Sequence, residues 1–319
     1  MILPTPVPAL SVTHPVTFVE PSIVSPYRAS QIGRILTLIA VVAPFLGLIA
    51  AFILVWGWGF TWVDLGLLVG FYMITAIGIT AGFHRHFTHR SFDTYQPIRW
   101  ALAILGSMTI QGPVLRWVAW HRRHHQMSDD VHDPHSPHYG GAGIRGWIRG
   151  FWHAHVGWLF GGDPPDLARY VTDLRKSRLV VWASALFPLW VLLGLAIPFF
   201  MGYWLTGSWI GAVRALLWAG LVRIFLVHHV TWSVNSVCHL WGRQTYKSND
   251  QSRDNLVFGV LALGEGWHNT HHAFPTSARH GLRWWQLDMS YIFIRTLQVL
   301  GLAWNVKLPS EQAIAAARA

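Results

Sequence analysis

The sequence predicts an all-α integral membrane protein, four transmembrane helices carrying a cytosolic helical cap rich in histidine. Three observations lead there. The 319 residues are 52% hydrophobic and only 12% charged, about half the charged fraction of an ordinary soluble domain. Four apolar stretches approach the roughly 20 residues needed to cross a bilayer. Nineteen histidines stand against one cysteine, and nine of them gather in three short clusters, all outside those stretches.

In chain order, residues 1–30 read as a mobile cytosolic arm: Met1 to Tyr27 is rich in Pro, Val and Ser and lacks the early basic patch and long apolar run of a signal peptide. A membrane domain over 31–310 follows, with spans expected at 35–57, 63–82, 179–200 and 206–229, and a tail at 311–319. Trp56, Trp58 and Trp62 flank Gly57 and Gly59 as an aromatic belt. The apolar segment Pro97 to Trp120 is interrupted by Gln111-Gly-Pro113 and Arg116, so it reads as a re-entrant or interfacial helix delivering His121. Asp, Pro and Ser after His125 mark a loop, which assigns His132, His135 and His138 to loop or surface roles. Trp147 to Phe160 and Trp284 to Trp304 read as interfacial helices, and Cys238 as a small buried residue. Gly140-Gly-Ala-Gly143 lacks the strand of a phosphate-binding loop, and no dinucleotide fingerprint is present.

The net charge is +10. Lys and Arg outside the spans lie in the N-terminal arm (Arg28, Arg34), between Arg85 and Arg178, and beyond Thr231; the short span-to-span connections carry none. By the positive-inside rule these basic segments and both termini are cytoplasmic. The charge excess then reflects topology and attraction to anionic lipid rather than nucleic acid. All three histidine clusters fall on one side and can meet in one cap.

The clusters are His84-Arg-His-Phe-Thr-His89, His121-Arg-Arg-His-His125 and His268-Asn-Thr-His-His272. In a helix, positions i, i+3 and i+4 share one face, so each H-x-x-H-H copy aims three imidazoles at one region. His84 and His89 would stand about 140° apart if an α-helix continued through them. His228, Trp232, Asn235 and His239 recur on one face at the inner end of the fourth span, adding a histidine with an amide one turn earlier. At least eight nitrogen donors exceed what one metal can use, so two metals are the natural reading. No H-E-x-x-H stands in a box, against a zinc hydrolase. The spans lack the His and Asp pathway of a metal transporter. Dioxygen activation by two iron ions, acting on an apolar substrate drawn from the bilayer, is the strongest candidate.

His84-x4-His89, His121-x-x-His-His125, Asn235-x3-His239 and His268-x-x-His-His272 together closely resemble the membrane fatty acyl desaturases, in the delta-9 (stearoyl-CoA desaturase-like) branch without a fused cytochrome domain. The resemblance runs from about Thr80 to Asn305 and includes Gly82-Phe-His-Arg85, Asp133-Pro-His135, His155-Val-Gly-Trp158, Gln251-Ser-Arg253 and Gly264-Glu-Gly266. It implies that His84, His89, His121, His125 and His268 hold one iron. His124, His239, His271 and His272 hold the other, which Asn235 reaches through water.

The implied reaction is a cis delta-9 double bond in a saturated C16–C18 acyl chain, with dioxygen reduced to water. Its electrons come from a separate ferredoxin, rubredoxin or cytochrome with an NAD(P)H reductase. Trp232 is the candidate for lining the acyl tunnel. Ala119-Trp120 and Gly162-Asp163 replace an Arg-Asp pair and a basic pair of the animal acyl-CoA enzymes. Acyl-CoA is the favoured substrate, with acyl-lipid and acyl-carrier thioesters open. A di-iron alkane or lipid hydroxylase is the nearest rival, disfavoured because the Glu and Gly of its boxes are absent.

Overall fold

The computed structural model describes residues 31–161 and 165–318. The expected N-terminal arm and Gly162-Asp163 lie outside the described residues. Among the described residues four helices are long and apolar enough to cross a membrane: Gln31–Trp58, Trp62–Thr88, Phe187–Thr206 and Trp209–His239. The first two contain the expected spans. The third lies later than the expected 179–200, because Arg178–Ala185 is a separate helix and a new one starts at Phe187 with Pro188 in its first turn, where the missing N–H costs nothing. The fourth starts at 209 and continues past the expected end at 229 to His239, so the helix that crosses the bilayer also carries Asn235 and His239 into the cap.

One end of this bundle is closed by a polar clasp. Thr61 and Asp64 form a reciprocal cap at the start of the second span. Arg214 of the fourth span reaches the Trp58 carbonyl at 2.7 Å and the buried Asp64 carboxylate at 3.3 Å. Three spans are thereby tied together at the end away from the histidines.

Between the second and third spans the chain makes a hairpin of two helices, Gln96–Ser107 and Val114–Met127, both too short to cross. The hairpin occupies the segment Pro97 to Trp120 that the sequence reads as re-entrant or interfacial, and its second helix carries His121. Its first helix lies backbone to backbone on the second span: a Cβ at Gly78 would sit 2.2 Å from the Gly106 nitrogen. Ile79, Phe83 and Phe87 of the span bury against Ala103, Val114 and Val118 of the hairpin. On another side Ala81 and Leu102 pack with Ile294 and Leu297. The 11-residue helix Met289–Val299 is therefore docked into the protein core rather than merely lying at the interface. Asp93–Thr94 pairs antiparallel with Ala303–Trp304 beside it.

Gly78 marks the tightest point of this packing. Gly78→Val should cost about 2 kcal/mol or more, the usual penalty of overfilling a packed contact, and lower the thermal midpoint measured by gel filtration of detergent-solubilised protein. Gly66→Ala, where no atom lies within 4 Å of the added carbon, should leave it unchanged; equal midpoints for the two variants would contradict the close approach.

Candidate metal centre

The three boxes converge where the second span, the hairpin's second helix and the short helix His268–Ala273 meet. How His84 and His89 join them is a matter of helix geometry. From Gly78 to Thr88 the span widens into a π-helix, and the His89 amide bonds the His84 carbonyl at 3.1 Å, an i→i+5 bond. That register removes the 140° separation of an α-helix and sets the two rings 4.8 Å apart, centroid to centroid. Such bulges concentrate at functional sites.

Two groups of imidazoles result, and within each the donor atoms all lie within 4.8 Å of one another. His84, His89, His121, His125 and His271 form the first; His124, His239, His268 and His272 form the second. All nine histidines expected from the sequence are thus brought together, but the division differs at two positions. The resemblance put His268 in the first group and His271 in the second, and the side chains stand the other way round. In both H-x-x-H-H boxes the middle histidine crosses to the other group, since the outer positions i and i+4 share a face that i+3 leaves by about 60°.

Distances within the groups fit metal ligation. Nε2 atoms face one another at 3.0 Å (His84 and His271), 2.9 Å (His271 and His125), 3.0 Å (His125 and His121) and 3.0 Å (His239 and His268). Two nitrogens each about 2.1 Å from one metal at a right angle would be about 3 Å apart. His89 Nε2 is buried with no hydrogen-bond partner. Burial, reinforced by neighbouring imidazoles, pushes the pKa of His89, His121, His125, His268 and His271 well below the ordinary value, and neutral rings keep the lone pair a metal needs.

Carboxylates behind the rings orient them. His84 Nδ1 is 2.6 Å from Glu265, His124 Nδ1 3.0 Å from Asp133, His239 Nδ1 2.9 Å from Asp129 and His272 Nδ1 2.5 Å from Asp250. A carboxylate on Nδ1 keeps the proton there and turns Nε2 inward. Burial alone would raise the pKa of Asp133, but its contacts with His124 outweigh burial and hold it well below the usual carboxylate range; His239 does the same for Asp129 and His272 for Asp250. Behind Glu265, the fully buried Arg85 also binds Asp288 and the Ala278 carbonyl. Sequence reasoning assigned no role to these acids. A neutral ligand imidazole requires an acceptor for its other nitrogen, so Glu265, Asp129 and Asp133, close beside the boxes, could have been found.

An apolar cavity runs from the spans to the first group. Ala76, Ile79, Val227, Val230 and Val234 line its greasy part, while His84, His121, His268, Glu265 and Asn235 line its polar end. Trp117 forms one wall and stacks on His121 at 5.0 Å. Its indole N–H donates to Gln111 Oε1 at 3.2 Å, and the Gln111 amide donates to Thr231 Oγ1 at 3.0 Å.

Trp232 is not among the lining residues. The fourth span turns the face of 227, 230, 231, 234 and 235 to the cavity, and Trp232, about 130° from the centre of that face, packs among His155, His228 and His229. His135 is buried against His124, ring centroids 4.3 Å apart, rather than on the surface, whereas His132 and His138 are exposed.

Comparison with known proteins identifies the family. The family model described as fatty acid desaturase matches residues 61–295. The chain is 46% identical over 277 residues to a hex-5-enoyl-[acyl-carrier protein] acetylenase of Moorena producens, covering 86% of each. It is 39% identical to the sn-1 stearoyl-lipid 9-desaturase of Synechocystis, over 80% of this chain and 76% of that one. It is 38% identical to delta-9 acyl-lipid desaturase 1 of Arabidopsis thaliana, over 84% of this chain and 81% of that one. With nine clustered imidazoles above four membrane helices and these matches across most of its length, the chain belongs to the fatty acid desaturase family.

Proposed function

We propose that the protein is a dioxygen-dependent delta-9 desaturase acting on saturated C16–C18 acyl chains at the cytoplasmic face of the membrane, with two iron ions held by the two histidine groups. The observation that carries this reading is the apolar cavity ending on the first group. His84, His89, His121, His125 and His271 would hold one iron and His124, His239, His268 and His272 the other, with Asn235 at the cavity's polar end placed to act through water. The irons would supply the one-electron chemistry that couples removal of two hydrogens from the chain to reduction of dioxygen to two waters, with two electrons and two protons drawn from outside.

The chain's own residues do the rest. Ala76, Ile79 and the valines of the fourth span exclude water and hold methylenes in line, and the Trp117 wall limits where the chain lies against the histidines. Electrons come from a separate one-electron carrier, such as a ferredoxin, rubredoxin or cytochrome served by an NAD(P)H reductase.

For the acyl carrier, the sequence alone favours acyl-CoA, but two observations support a membrane glycerolipid. The relatives named as acyl-lipid 9-desaturases match over most of this chain. Where the animal acyl-CoA enzymes carry an Arg-Asp pair that helps hold the CoA part, Ala119 is fully buried and Trp120 half-buried, and neither carries charge.

Expression in a host lacking delta-9 desaturase, with a competent electron donor, should yield chains unsaturated at that position by mass spectrometry; hydroxylated chains would favour a hydroxylase instead. Labelled stearoyl-phospholipid should be desaturated in those membranes in preference to stearoyl-CoA and stearoyl-acyl-carrier protein. His125→Ala and His271→Ala should each abolish activity and lower bound iron from two per chain, whereas exposed His138→Ala should change neither. Asp133→Asn should keep the ligand set but weaken iron affinity about 10- to 100-fold, read by chelator competition. Full-affinity binding in Asp133→Asn would refute the role given to the carboxylates.

A further inference from the structure

Arg223 lies within the fourth span, is fully buried, and forms no ion pair with a carboxylate among the described residues. An ionisable side chain at that depth calls for a function. Its donors go to backbone carbonyls on three elements. Nε bonds Ala219 O at 3.1 Å in its own helix, Nη1 bonds Met108 O at 2.7 Å, and Nη2 bonds Gly194 O at 2.9 Å. The last two need an outside donor. Met108 caps the C-terminal end of the hairpin's first helix, and Pro198, four residues after Gly194 within the third span, has no N–H to give it.

A second contact lies little more than one turn further along the fourth span, where His228 Nε2 meets Thr109 O at 2.7 Å. Thr231 follows, bonded to Gln111. The hairpin tip is therefore fastened to three successive stations on one helix. It is also stiff: Ile110 and Gly112 hold φ of 62° and 100°, and a β-branched residue adopts that region only when its surroundings enforce it. Movement at Met108 and Thr109 passes directly to Gln111 and, through its bond to the indole, to the Trp117 wall of the cavity.

We propose that Arg223 and His228 are positioning residues that fix the depth of the hairpin tip in the membrane and thereby select which acyl carbons are presented to the histidine groups. The inference rests on the desaturase reading. It assigns the intramembrane cation a role in regioselectivity through Trp117, without contact with the substrate.

The test uses the full-length protein in membranes of the desaturase-deficient host, with double-bond position read by mass spectrometry. Wild type should give one position. Arg223→Met and His228→Leu should give, beside it, a second product displaced by one or two carbons, beyond any loss of total turnover. Arg223→Lys keeps the charge with fewer directed donors and should give the same displaced product in a smaller share, which keeps the test open if Arg223→Met does not accumulate. Arg214→Gln, at the opposite end of the bundle, should lower thermal stability without moving the bond. Unchanged bond position in Arg223→Lys and His228→Leu, with activity falling only as folded protein falls, would overturn the inference while leaving the desaturase reading intact. Absence of any product from wild type would instead overturn the reading on which it rests.

Discussion

Everything in the cap serves one constraint: nine imidazoles must be buried together with ring nitrogens facing inward. Nitrogen atoms about 3 Å apart that share no proton repel, and a buried polar atom left unpaired is costly. A cation taking the inner nitrogens and an anion beside the outer ones would relieve that cost. Glu265, Asp133, Asp129 and Asp250 stand beside the outer nitrogens of His84, His124, His239 and His272, whereas Nδ1 of His268 and of His271 is buried without a hydrogen-bond partner. The four carboxylates also offset the positive charge that two metals would bring into the site. Arg85, paired with Glu265 and Asp288, fixes the acid behind His84 and ties it to the segment leading into the helix Met289–Val299.

The architecture beneath follows from delivering those rings. Each box needs a rigid element ending at the same place. The second span supplies one by widening into a π-helix, the second helix of the hairpin supplies another and the short helix His268–Ala273 the third, while the continuation of the fourth span adds His239. The hairpin explains why Pro97 to Trp120 looks too broken for a span: its interruptions are the turn, and its two short helices pack against Ile79, Phe83 and Phe87 of the second span.

What could be read from sequence was whatever depends on local period. Apolar length located the four spans and the spacing i, i+3, i+4 located the boxes, while it was the family resemblance that assigned the middle histidine of the second box to a different metal from its neighbours. What could not be read depends on departures from that period or on tertiary approach. The π register that aligns His84 with His89 has no simple spacing signature. Which group receives His268 and which His271 is set by the angle at which a short helix enters, not by its sequence. The split of Arg178–Ala185 from the third span turns on the single Pro188. Trp232 was misplaced because a face drawn through 228, 232, 235 and 239 is rotated from the face that the packing of the span turns to the cavity.

The two fully buried arginines show how one side chain answers two environments. In the cap, Arg85 is matched by two carboxylates, so charge is balanced locally and the network can be rigid without membrane cost. Deeper in the span, a carboxylate partner would have brought a second ion out of water at further desolvation cost. Arg223 instead uses carbonyl dipoles already present, one at a helix C-terminus, where a cation is favoured, and one released by a proline. The broken backbone and the charge compensate each other: without Arg223 the Met108 and Gly194 carbonyls lack donors in an apolar layer, and without those carbonyls the guanidinium has no place there. That mutual dependence makes the hairpin tip a fixed reference point, from which the cavity wall at Trp117 and the histidines of the same helix take their positions.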